Sequence, residues 1–188
     1  MNSTRSTTPT SMPVAPVPLA QVEALRPGMD IAVEATGGAM ALRVTDELGT
    51  RDGRRWWRAA ATDGRAFTLV EGGHVSTAWR VVPDRRVLRP LASVSTAAGV
   101  NVDLFPRPGA MSVTEWLGTT GPAPDAADVL RFGLALCEVV ESIHGAGRCV
   151  YSLDPDLVLR TPDLDAVLVG IQDLPVPGST PGAVSPST

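Results

Sequence analysis

Lysine is missing from the whole chain: all 16 basic residues among the 188 are arginine. No lysine chemistry of any kind is available to it. Part of that absence fits the coding bias of a GC-rich genome, since Ala, Val, Gly, Arg and Pro dominate the composition. Cysteine and histidine are scarce, at two each. Cys137 and Cys149 have no metal-ligand spacing and no histidine pattern around them, so both are expected to be buried small apolar residues. No window reaches the roughly 20 apolar residues of a membrane span, and the first residues, Arg5 followed by Ser, Thr and Pro, hold no apolar stretch of signal-peptide length. The expectation is a soluble cytoplasmic protein with no membrane partner.

The charge that is present is unevenly placed. Between Arg43 and Arg89 there are ten arginines against six acids, a net of +4, whereas between Asp103 and Asp173 four arginines face eleven acids, a net of −7. One half is basic and the other acidic; solvated faces are the default explanation, and the alternatives are that the halves dock by charge or that a partner is steered. No arginine run is interleaved with aromatics, so nucleic acid is not expected as a partner. The 44% hydrophobic content and the length suit one domain with a good core or two small lobes.

Punctuation divides the chain into four parts: a Ser/Thr/Pro-rich N-terminal linker over 1–28, a β-rich unit over 29–105, a mixed unit over 106–174 and a Pro/Ser/Thr tail over 175–188. Both ends bury too little apolar surface to offset their ordering entropy and are expected to be disordered. Within 29–105, strands are expected at Ala41–Thr45, Trp56–Thr62, Arg65–Val70, Val87–Val94 and Val100–Phe105. Asp63-Gly64 is expected to form a two-residue hairpin turn, and Asp46 to Arg54 a polar loop. Alternation puts Trp56 and Trp57 on opposite faces, which predicts one core tryptophan and one partly exposed.

After Pro106-Arg107-Pro108-Gly109 the pattern changes. Ser112 with Glu115 three residues later marks the start of a short helix carrying Trp116. Pro124 to Gly147 is the strongest helix: Asp125 and Asp128 favour its start, Gly145 and Gly147 stop it, and Val129, Phe132, Leu136, Val139 or Val140 and Ile143 form its buried stripe. Short strands are expected at Arg148–Tyr151, Leu157–Arg160 and Ala166–Ile171.

The run Ile143-His144-Gly-Ala-Gly147 to Asp154-Pro155-Asp-Leu157 resembles the approach to a protein kinase catalytic loop, in which a helix ending in Leu-His-x-x-Gly leads to H-R-D-L-K-P-E-N. Ile143, His144, Gly147 and Pro155 fall in register without a gap. The resemblance covers about Met29 to Leu174. It implies an α+β fold, with a kinase-like small β lobe followed by a truncated, partly helical large lobe. It also places Val150, Tyr151 and Ser152 on the H-R-D positions, Leu157 on the position of a magnesium-binding Asn, and Gly170, Ile171 and Gln172 on D-F-G. The loop before Arg54 lacks the G-x-G-x-x-G spacing, and no lysine exists to meet the nucleotide phosphates. The resemblance therefore implies a degenerate domain, a pseudokinase, with no catalytic, cofactor-binding or metal residues and no cofactor.

Other constellations are weaker. Asp154, Asp156, Asp163 and Asp165 lack the Gly and distal Glu of a calcium loop and are expected to cap turns. His144 is expected to be structural, His74 has no identified partner, and no strand-turn-helix elbow surrounds Ser152. The expected function is a non-catalytic binding or regulatory module whose partner is another protein. The alternatives are an atypical nucleotide-binding enzyme and a structural subunit of a larger assembly. Because the resemblance stops where a kinase activation segment would begin, apolar surface is expected near Trp116 and the long helix, with Trp116 either an interface residue or core.

Overall fold

The computed structural model describes residues 15–35, 37–51, 53–72, 82–118, 123–150, 153–163, 165–169 and 173–175. Its largest element is a seven-stranded sheet. β1 (Val17–Pro18) pairs in parallel with β2 (Asp30–Ala35), and an antiparallel meander follows through β3 (Gly38–Arg51), β4 (Arg54–Ala61) and β5 (Ala66–Glu71). The chain then returns as β7 (Ala92–Ser95) and β8 (Asn101–Arg107), with β8 inserted beside β5. The strand order is β1-β2-β3-β4-β5-β8-β7.

A second, four-stranded sheet has the order β6-β12-β11-β9, where β6 is Val87–Leu88, β9 Met111–Ser112, β11 Val158–Arg160 and β12 Ala166–Val169. The stretch expected as a single strand over Val87–Val94 is thus two strands in two sheets. Pro90 lies between them; it has no N–H to give a ladder, and the chain changes sheet there. The helices are α1 (Val113–Gly118) and α2 (Ala126–Gly145), and β10 (Arg148–Val150) pairs with β13 (Asp173–Pro175).

Apolar residues gather in three cores, one above the large sheet, one between the sheets and one beneath the small sheet. The first joins Ile31, Val33, Leu42, Val44, Trp57, Phe67, Leu69 and Leu104 to Leu19, Val22 and Leu25. Residues 15–28 are therefore not a linker: Leu19 lies on a short 3-10 turn and covers the sheet together with Val22 and Leu25. Of the ends expected to be disordered, 1–28 and 175–188, residues 1–14 and 176–188 lie outside the described residues, and Pro175 pairs with Arg148 in a short strand. The lowest core packs α2 and Trp116 against the small sheet through Phe132, Val139, Ile143, Val158 and Leu168. Alternation on β12 sends Ala166 and Leu168 down to α2, and Val167 and Val169 up to the large sheet.

Local chemistry accounts for most of the turns. Asp125 caps α2 by accepting from the Ala127 amide, and Gly147 at φ 72° ends the chain reversal after it. The Asp63-Gly64 hairpin is a three-residue loop rather than a two-residue one. The Ala61 amide donates to the Arg65 carbonyl, and Gly64, at φ 85°, takes the left-handed position. The expected loop from Asp46 to Arg54 is largely strand: β3 runs on to Arg51, which pairs with Arg54, and absorbs two register shifts near Thr45 and Leu48.

The stripe on α2 is buried from Phe132 onward and exposed over the first turn and a half. Phe132, Val139 and Ile143 are buried, but Val129, expected in the stripe, is 45% exposed, and Leu130 and Leu134 are 69% and 67% exposed. Cys137 is exposed and Cys149 half-buried, against the expectation that both were core. Among the described residues no helix is long and apolar enough to cross a membrane. Phe132→Ala is expected to cost about 3–5 kcal/mol and Leu130→Ala less than about 0.5 kcal/mol. Urea unfolding midpoints of the two variants check this, and equal losses would contradict the burial pattern.

Candidate functional site

The space between the two sheets is built around one strand, β4. On β4, Trp57 and Ala59 point up into the first core, and Trp56 and Arg58 point down. Trp56 and Trp57 are 0% and 2% exposed. Neither tryptophan is the exposed one expected, because the large sheet is covered on both faces.

Trp57 is fixed by polar contacts at its edge. Its Nε1–H donates to Glu71 Oε2 at 2.9 Å, while Arg55 donates to Glu71 Oε1 at 2.9 Å and lies 5.4 Å from the indole centroid. The buried Glu71 carboxylate is thereby paired and hydrogen-bonded, as a charge away from water must be. Gly72 follows at φ 94°, where a Cβ would come within 3.3 Å of the Gly53 carbonyl at the β3–β4 turn. A side chain there is disfavoured both by the backbone and by the contact.

Trp56 fills the space between the sheets. Around it lie Val70 and Phe105 from the large sheet, Leu159, Val167 and Val169 from the small one, and the half-buried Leu48, Leu88, Ala110 and Leu157. On β5 the residues facing this space are Thr68 and Val70. The cluster itself is apolar apart from the Trp56 Nε1–H, which has no hydrogen-bond partner among the described residues; Asp103, two residues before Phe105 on β8 and opposite Val70, is 6% exposed on the same face of the sheet, where burial pushes its carboxyl up. Chemically it can exclude water and hold the sheets together.

The edge of this interior is closed by charge. Arg58 on β4 pairs with Glu115 on α1, and Arg107 at the end of β8 reaches the same carboxylate at 2.9 Å. Glu115 also accepts from the Ser112 amide at 2.7 Å while Ser112 Oγ accepts from the Glu115 amide at 3.1 Å, the reciprocal cap that the spacing predicts. Burial pushes the Glu115 carboxyl up, but the Ser112 amide and the Arg107 and Arg58 guanidiniums outweigh it and hold the group below its usual 4.5. Arg107, 5% exposed, is pulled below the usual arginine value by its burial, with Glu115 opposing that and Arg58 adding to it.

Of the residues singled out from the sequence, Leu157 is half-buried in a turn, with its amide on the Asp154 carbonyl at 2.9 Å and its side chain against the Trp56 core. Ser152 and Gly170 lie outside the described residues, as do Tyr151, Ile171, Gln172 and His74. Trp116 is 9% exposed, edge-to-face with Phe132 at 5.4 Å, and carries the Arg160 guanidinium 4.8 Å from its ring centre. It is core, and the exposed apolar residues nearby are Leu117, Leu130 and Leu134. Asp154 takes the Asp156 amide and Asp165 the Ala166 amide, the turn-capping roles expected of them. Among the described residues no cluster of His, Cys, Asp and Glu could hold a metal ion. His144 is exposed at the end of α2, where its carbonyl accepts from Gly147. The sequence reading missed Trp56 as the centre of this region and Arg58–Glu115–Arg107 as its rim. Consecutive tryptophans on a strand flanked by arginines were the available signal.

Trp56→Ala is expected to cost about 3–5 kcal/mol through the cavity it leaves. Because the folded Glu115 titrates below its unfolded value, its contribution is fully present above pH 4.5 and is lost as pH falls through the depressed folded value. Glu115→Gln should therefore cost about 1 kcal/mol at neutral pH, a modest amount because the pair is partly screened. The difference from wild type should shrink below the usual carboxylate value. Urea midpoints at neutral and acidic pH test this; a difference that widened on acidification would contradict it.

No family model matches the sequence. A curated relative, an enoyl-[acyl-carrier-protein] reductase [NADH] of Streptomyces avermitilis, is 40% identical over 89 residues, which are 47% of this chain and 21% of that protein. Among solved structures, vaccinia related kinase 3 superposes with a TM-score of 0.53 at 15% identity, over 81% of this chain and 52% of that one. The autoinhibited serine kinase domain of titin gives a TM-score of 0.48 at 12% identity, over 68% of this chain and 43% of that one. The chain thus spans about half the length of the kinase it superposes on and a fifth of its curated relative. The fold is α+β and kinase-like, with a curled sheet resembling a kinase small lobe.

Proposed function

We propose that this chain is a non-catalytic, kinase-like domain, a pseudokinase, that works as a protein-binding or regulatory module. The observation carrying this reading is the interior between the sheets. It is occupied by Trp56 at 0% exposure, lined by apolar side chains above and below, and bounded by the Arg58–Glu115–Arg107 cluster. A phosphoryl-transfer site needs donors and metal ligands aimed at phosphate and a base near the acceptor. The cluster of aliphatic groups, Phe105 and the Trp56 indole offers no base and no metal ligand, and its one donor is the indole N–H. The complete absence of lysine supports the same reading.

The reductase likeness does not favour a dinucleotide-binding reading. Nicotinamide cofactors bind where a strand runs through glycines into a helix N-terminus. Here Gly145 is the last residue of α2 and Gly147 leads from it into β10, which is the reverse order.

ATP with magnesium, ATP with manganese and NADH, each at millimolar concentration, are expected to leave the melting temperature unchanged. Labelled ATP should deposit no phosphate on the protein or on generic acceptors. A magnesium-dependent rise in melting temperature with ATP would overturn the reading in favour of an atypical nucleotide-binding enzyme, and a rise with NADH would favour the reductase class.

A further inference from the structure

The outward face of α2 carries a pattern of its own. Phe132, Val139 and Ile143 point into the core. On the opposite side of the helix lie Ala127, Leu130, Leu134, Cys137, Glu141 and His144, all of them exposed. Their spacings alternate between three and four residues, the period at which two helices keep one seam in contact over several turns. Leu130 and Leu134, at 69% and 67%, are the most exposed large apolar side chains among the described residues.

Charge is ordered along this seam. Arg131 lies beside the leucines, and Glu141 lies ten residues further on, about 15 Å along the axis. Both are exposed, and neither has an ion pair among the described residues. Glu138, the other acid beside the seam, is held by Arg86 at 3.0 Å. Asp125 caps the helix and Asp128 is half-buried. A helix with its cation at one end of an apolar seam and its anion at the other is complementary to itself turned end for end. Parallel pairing would set Arg131 on Arg131 and Glu141 on Glu141. Antiparallel pairing about a twofold axis near residue 136 sets Arg131 of each copy beside Glu141 of the other and packs Leu134 against Cys137. It also brings Asp125 and Asp128 of one helix to the end of the other that carries His144, the arrangement favoured by opposed helix dipoles.

We propose that the outward face of α2 is a self-association surface, on which two copies of this chain pair through antiparallel α2 helices. Leu134 and Cys137 form the centre, Leu130 covers the stem of the other copy's Glu141, and two reciprocal Arg131–Glu141 ion pairs close the ends. One helix from each copy makes a small interface, so the dimer is weak, with a Kd on the order of 10–100 μM. The pairing goes beyond the reading of the chain as a non-catalytic module and does not depend on it. A magnesium-dependent shift with ATP would overturn that reading and leave the pairing untouched.

Sedimentation equilibrium of the full chain over about 1 to 300 μM, a range that spans this affinity, is the test. The mass should rise with concentration from 19.6 kDa toward twice that value, and should rise less in molar salt, which screens exposed pairs. Leu134→Asp should weaken the dimer about tenfold or more, as loss of a central anchor does. Arg131→Glu and Glu141→Arg should each weaken it, because each sets like charges face to face. Mixed in equal amounts, these two variants should associate again, since each supplies the sign that the other lacks. Leu153→Asp, at an exposed leucine outside α2, should change nothing. If Leu134→Asp unfolded the chain, the two charge variants and their mixture would still decide. A chain that stays monomeric throughout overturns the proposal. So does a dimer indifferent to Leu134→Asp and to both charge variants, or a mixture of the charge variants that remains monomeric.

Discussion

A sheet buried on both faces is the constraint from which the rest of this structure follows. β4 carries two adjacent tryptophans, and adjacent residues on a strand must point to opposite sides. Each indole needs a cover, and the chain supplies two. Leu19, Val22 and Leu25 come from before the sheet and close over the face of Trp57, while the β11–β12 hairpin comes from after α2 and closes over Trp56. The small sheet and α2 then lie below because the hairpin, buried above by Val167 and Val169, presents Ala166 and Leu168 on its other face.

Filling the space between the sheets has a functional consequence. An interior that receives a ligand must keep polar groups unspent until the ligand meets them, and such groups are costly when left unpaired. Here the interior is mostly apolar and its bordering charges are engaged with one another, while the Trp56 Nε1–H and Arg58 Nε have no hydrogen-bond partner among the described residues. Arg58 and Arg107 share Glu115, and Arg55 and the Trp57 indole share Glu71. On the outside, Arg85, Arg131 and the leucines Leu130 and Leu134 of α2 are exposed.

Arginine does this structural work throughout. Arg86 joins three elements, Arg160 stacks on Trp116, and Arg107 is buried against Glu115. A compact ammonium on a flexible stem would not substitute, since a planar guanidinium both stacks and donates to several acceptors. The unequal charge of the two halves is used in part across their boundary: Arg58 reaches Glu115, and Arg86 reaches Glu138 and Asp165.

Much of this was legible in the sequence wherever the cause is local. The cap at Ser112 and Glu115, the start of α2 at Asp125, its stop at Gly147, and the alternation of Trp56 and Trp57 each depend on residues within a few positions of one another. The resemblance around His144 to Leu157 pointed to the kinase-like fold. Decisions that depend on distant neighbours were not legible. Val87–Leu88 and Ala92–Ser95 read as one strand, yet each pairs with a partner far along the chain in a different sheet. Val129 matched the spacing of the α2 stripe but no described element covers it, and Trp116 became core only because Phe132 and Arg160 close around it. Periodicity determined which residues share a face. Only the tertiary structure decided which faces are covered, because burial is a property of two surfaces meeting and a single segment specifies one of them.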